Sequence, residues 1–61
     1  MIVIGDCYVN GQTCEVVEVR SFVVGQFVVC NSERFFQWGD FIRDYSLLEY
    51  EEAMFLKQQS F

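Results

Sequence analysis

Three thiols, nine carboxylates and eleven aromatic rings are the groups in this 61-residue chain that could do chemistry, and no histidine stands among them. Histidine is the commonest general base and thiol activator, so its absence removes the usual partner of a nucleophilic cysteine. Cys7, Cys14 and Cys30 make an odd number and close no disulfide framework. They also fall one ligand short of a four-coordinate zinc site, at spacings that match no metal motif. Small apolar filling of a core is the reading that suits them. The chain carries no glycine-rich phosphate loop, no Cys-x-x-Cys and no serine elbow. The sequence therefore points away from an enzyme and calls for no metal or cofactor.

The carboxylates are more informative. Asp40, Asp44, Glu49, Glu51 and Glu52 place five acids in 13 residues, with Arg43 as the single base among them. On one surface they could imitate the phosphates of a nucleic acid and block a basic cleft. They could equally form the solvated face that keeps a small acidic domain soluble. The net charge is −5 and the four basic residues are scattered, so direct binding to DNA, RNA or an anionic membrane is disfavoured.

The rings supply the other handle. A chain of this length buries only about 60% of the surface it exposes when unfolded. Eleven rings exceed what one such domain can hide, and the excess suggests a contact face. Tyr8, Phe27, Phe36 and Phe41 are expected in the core. Phe22, Phe35, Trp38, Tyr45 and Tyr50 are expected at the surface, where Tyr and Trp serve well as interface anchors. A homodimer would also hide such rings, and would enlarge a small core.

Elements that could carry these groups follow from local patterning, and residues 1–61 read as one domain. The apolar share of 52% argues against disorder. Asn10-Gly11 between β-rich segments is a strong hairpin signal, because both residues tolerate the positive φ of a type I′ turn. A two-residue loop there sets Val9 against Gln12, Tyr8 against Thr13 and Cys7 against Cys14. The last pair would have Cα atoms about 5.5 Å apart. It would also set Asp6 against Glu15, a like-charge opposition, unless Gly5-Asp6 bends the chain away.

Phe27–Cys30 reads as a third strand, with Gly25 just before it at a bulge or a turn and Ser21 to Val24 open between strand and loop. Arg34–Trp38 reads as a fourth after Asn31-Ser32, with Phe35 and Phe36 on opposite faces. Asp40 would cap a short helical turn in which Phe41 and Tyr45 share a face. Residues 46–50 would form a fifth strand and Glu51–Gln58 a short helix. The expected fold is mainly β, a small five-stranded barrel-like domain with a short C-terminal helix. The alternative is α+β, an antiparallel sheet packed on one long helix from about Asp40.

Gly5-Asp6-Cys7-Tyr8-Val9-Asn10-Gly11, Glu15-Val16-Val17-Glu18-Val19 and Phe41-Ile42-Arg43-Asp44-Tyr45-Ser46-Leu47-Leu48 come in an order that resembles small barrel domains of the Src-homology or Tudor type. These occur in short phage and bacterial accessory proteins. The resemblance spans residues 3 to 48. It implies a barrel and a phage-encoded protein that binds and inhibits a host enzyme, and it transfers no functional residue.

The function expected from these features together is non-enzymatic protein binding. Trp38 and Tyr45 would anchor, while Asp40, Asp44, Glu49, Glu51 and Glu52 pair with lysines or arginines of a basic nucleic-acid enzyme and occlude it. A nucleic-acid-binding regulator using a barrel face, and a structural homo-oligomer, are the alternatives. Residues 1–6 hold no base and do not read as a secretory leader, so a cytoplasmic location is expected.

Overall fold

The computed structural model describes residues 2–49. Five antiparallel strands form one sheet in the order β4-β3-β2-β1-β5, with one short helix. The elements are β1 (Cys7–Asn10), β2 (Val16–Val23), β3 (Phe27–Cys30), β4 (Arg34–Gln37), α1 (Trp38–Asp44) and β5 (Tyr45–Leu47). A single 3₁₀ turn, Asn31–Glu33, joins β3 to β4. The fold is thus mainly β, as expected. The sheet is open, with β4 and β5 as its edges, and α1 packs against both. No helix among the described residues is long and apolar enough to cross a membrane.

The first hairpin forms, but not in the expected register. Tyr8 faces Val17 and Cys7 faces Glu18, a slide of four residues along β2. The reason lies in the side chain of Asn10. Its Oδ1 accepts the N–H of Gln12 at 2.8 Å and of Thr13 at 3.0 Å. An asparagine that hydrogen-bonds the backbone ahead of it builds a wider turn than the two-residue type. Asn10 is therefore the last residue of β1, and Gly11 to Cys14 form the loop. Cys14 closes it at φ 63°. The Cys7–Cys14 pairing is absent, with Cys7 buried and Cys14 exposed.

The feared opposition of Asp6 and Glu15 is absent too. Gly5 turns the chain at φ 96°, the Asp6 N–H donates to Val3 O at 3.1 Å, and the Val19 N–H donates to Asp6 O at 2.9 Å. This is the expected bend.

β2 serves two partners. Its first half pairs with β1, and its second half pairs with β3 from Val19 onward. The register slips between Val19 and Ser21, leaving Arg20 as the extra residue of a bulge. Alternation would otherwise carry the inner face from Val17 and Val19 to Ser21. The bulge moves it to Phe22, which packs against the core while Ser21 is exposed. Bulges also sharpen local twist, which helps an open sheet curl.

The curl closes on Phe41, which is fully buried. Its ring lies 4.9 Å from Tyr45 and stacks on it at 8°. Tyr8 and Phe36 meet it at 5.0 and 5.4 Å. Four elements thus meet in one aromatic cluster, floored by Val17, Val19, Val28 and Cys30.

Two further expectations need correction. Asp40 does not cap α1: the helix begins at Trp38, and Asp40 sits inside its first turn. A carboxylate still suits that end of a helix. The long helix from Asp40 does not form either. The chain leaves helical geometry at Tyr45 (φ −118°, ψ 143°), whose N–H donates to Phe41 O. It then pairs with β1 as β5, setting Leu47 against Tyr8. Residues 45–47 thus take the role expected of 46–50, and the expected helix Glu51–Gln58 lies outside the described residues.

Candidate functional site

α1 is too short to be stable alone and is held by its apolar side. Trp38 and Ile42 are four residues apart and share that side. Facing them are Phe22 and Val24 from the β2–β3 hairpin, Tyr8 from β1, and Ile2 from the incoming chain. Together these six line a half-open groove of about 400 Å³. Trp38 and Phe22 hold their rings 6.4 Å apart at 41°, a tilted pair. Val24 is 70% exposed and Ile42 50%, so the rim is apolar as well. The volume lies in the range of ligand pockets, which run from about 300 to 1,000 Å³.

The proposed site residues separate in space. Trp38 is half-buried in the groove. Tyr45, expected at the surface, is core: it is 7% exposed, stacked on Phe41, and its hydroxyl donates to Glu15 Oε1 at 3.1 Å. Asp40 and Asp44 are exposed on α1, but Arg43 lies between them. Its guanidinium reaches Asp44 at 2.9 Å and Asp40 at 3.5 Å. The Arg43 hydrogen bond holds the Asp44 carboxyl below its ordinary range. Two of the five acids are thus partly neutralised within the chain. Glu49 is exposed, while Glu51, Glu52 and the ring of Tyr50 lie outside the described residues.

Of the other rings, Phe35 is on the surface as expected. It stacks on Phe27 at 5.4 Å across the outer face of β3 and β4. Phe27 is therefore an outer-face residue, only half-buried, rather than core. Ile2, Val24 and Ile42 line the groove and were not singled out by sequence. The Trp38/Ile42 spacing on a helix is the signal that could have found one of them.

A second cluster gathers at the Tyr45 hydroxyl. The Glu15 carboxylate receives a hydrogen bond from the Arg34 guanidinium and another from the Tyr45 hydroxyl. The same guanidinium sits 5.0 Å over the Phe36 ring. This clasp joins the start of edge strand β4 to the start of edge strand β5. It is half-exposed, so water and salt screen its charge. A structural role accounts for it.

The thiols divide sharply. Burial pushes Cys30 up to about 11, so it stays protonated through the neutral range. Burial, helped by Asp6, also raises Tyr8. Both groups lose protons more readily in the unfolded chain than in the fold. Stability is then intact below the ordinary thiol value of 9.0 and falls as pH rises toward 11. Thermal midpoints measured across that window should drop, and the drop should shrink in Cys30→Ala. Maleimide should label Cys14 alone in the native protein and all three cysteines after unfolding, read as mass adducts. Rapid native labelling at Cys30 would contradict the packing described above. Among the described residues, no three Cys, Asp or Glu side chains gather as a metal site.

No protein-family model, curated protein or solved structure matches this chain.

Proposed function

We propose that the protein is a non-enzymatic binding module that docks a protein partner in the Trp38 groove. The observation that supports this reading is the groove itself: three rings and three aliphatic side chains converge there, with the aliphatic rim left exposed. An apolar patch of this kind on a small domain is a common mark of an interaction surface. The docking anchor is Trp38 with Phe22 and Ile42, in place of Trp38 with Tyr45. With a net charge of −5, the module favours a basic partner. Occlusion of a nucleic-acid enzyme, the phage-inhibitor form of the reading, rests on Glu49, Glu51 and Glu52, because Arg43 engages Asp40 and Asp44. The barrel-like description belongs to the same reading, with α1 standing where strand pairing would otherwise close the sheet.

The test is capture from a host lysate with wild type, Trp38→Ala, Ile42→Asp and Phe35→Ala side by side. The affinity of each of the four proteins for the captured protein is then measured by titration calorimetry. Removing a central aromatic anchor should weaken binding about 30-fold or more, whereas Phe35→Ala, on the other face, should bind as wild type does. Equal capture by all four proteins would defeat the groove as the docking site. A sedimentation mass of twice 7.2 kDa, lost in Phe35→Ala, would favour a homodimer through the outer face instead.

A further inference from the structure

Asn10-Gly11 is also the dipeptide most prone to spontaneous deamidation, because glycine leaves the attacking nitrogen unhindered. The reaction needs three things. The Gly11 amide must lose its proton to base. The Asn10 side-chain amide must turn its Cγ toward that nitrogen. The Asn10 backbone must rotate out of extended geometry so that a five-membered ring can close.

The fold opposes each of them. The Gly11 N–H donates to Asp44 O at 3.0 Å, at the junction of α1 and β5. The Asn10 side chain is pinned through Oδ1 by the N–H groups of Gln12 and Thr13. The Asn10 backbone is held on both sides: its N–H donates to Glu15 O at 2.8 Å, and its carbonyl accepts the Cys14 N–H at 2.9 Å. The loop is otherwise exposed to solvent, so water and hydroxide reach it freely.

We propose that Asn10 is a latent self-modification site, kept inert by these five hydrogen bonds and released when the loop parts from the α1–β5 junction. On release, the deprotonated Gly11 nitrogen attacks Asn10 Cγ. The N–Cγ bond forms, the Cγ–Nδ2 bond breaks, and Nδ2 takes up a proton and leaves as ammonia. Water then opens the succinimide at either carbonyl, giving aspartate or isoaspartate at position 10. One neutral amide becomes one carboxylate, with no change of oxidation state. The two products differ in consequence. An aspartate can still accept the N–H groups of Gln12 and Thr13. An isoaspartate inserts a methylene into the backbone and breaks the pairing of Asn10 with both Glu15 and Tyr45. A transient opening would so be converted into a permanent loss of the β1 register.

The experiment is incubation of the full chain at mildly alkaline pH across a urea series. Intact mass reports the gain of about one dalton, and peptide mapping with isoaspartyl methyltransferase reports the isoaspartate. Deamidation at position 10 should be slower in the native protein than in the unfolded chain by about tenfold or more, and should rise with urea as opening becomes populated. Asn10→Asp should fold with native spectra, which shows that the aspartate product is tolerated. A native rate equal to the rate in denaturing urea would overturn the proposal, as would an Asn10→Asp protein that fails to fold.

Discussion

Phe41→Ala should leave the chain unfolded at room temperature. The side chain is fully buried and touches the rings of Tyr8, Phe36 and Tyr45. Truncating a buried Phe to Ala costs about 3–5 kcal/mol, from lost transfer energy and the cavity left behind. A chain of 61 residues has little more than that in total. The position matters beyond its area. β4 and β5 share no ladder, and Phe41 is where the rings from both edges meet. Without it, Phe36 and Tyr45, which also touch each other at 5.0 Å, lose the buried ring that both pack against. Far-UV circular dichroism with urea titration measures the effect. Phe41→Leu, which keeps most of the volume, should fold with a lowered midpoint. A Phe41→Ala protein with native spectra and an unchanged midpoint would mean that the two edge strands are held to the core by other contacts.

Tyr45 separates a packing role from a binding role. Tyr45→Ala removes a ring stacked on Phe41 and edge-on to Phe36 at 5.0 Å, and should cost about 3 kcal/mol. Tyr45→Phe keeps the ring and removes only the hydroxyl's bond to Glu15, for about 1 kcal/mol. A surface anchor would behave differently: both substitutions would leave stability near wild type, and Tyr45→Ala alone would weaken partner binding. Urea midpoints for the pair therefore decide between the two roles. Because the hydroxyl's partner also holds Arg34, Glu15→Gln should cost at least as much as Tyr45→Phe.

Turn chemistry was legible wherever one residue dictates one backbone shape. Gly5 bends the chain before β1. Gly25, open between a bulge and a turn in the sequence, takes the turn at φ 78°, in which the Gln26 N–H donates to Val23 O. Phe35 and Phe36 fall on opposite faces, as strand alternation requires. The first register was not legible, because it depends on a side chain competing with a backbone turn. Asn-Gly favours the tight loop, but the Asn10 amide can bond ahead and widen it. Hydrophobic burial prefers the wide form, which sets Tyr8 against Val17 inside the sheet.

The placement of Tyr45 was half legible. Its four-residue spacing from Phe41 implied one shared face, and that face is the core. Its hydroxyl pulled the expectation outward, yet the phenol reaches a carboxylate at the rim while the ring stays inside. Ile2 and Val24 gave no local signal at all. They come to the groove only through the curl of the sheet.

The bulge at Arg20 makes β2 a strand with two phases in series. Residues before it show odd positions to the core, and residues after it show even ones. Mutational drift can therefore act on each hairpin separately. A length change in the Gly11–Cys14 loop slides β1 against the first phase and leaves Phe22, Val28 and the β3 ladder in step. Loss of the single residue at the joint is absorbed as well. With Arg20 gone, alternation runs from Val17 and Val19 through Ser21, outward, to Phe22, inward, and Cys30, Val29 and Val28 keep their partners. A deletion at Arg20 is thus a change that keeps both phases and the Phe22 wall of the Trp38 groove, and takes from the sheet only the extra twist of its bulge.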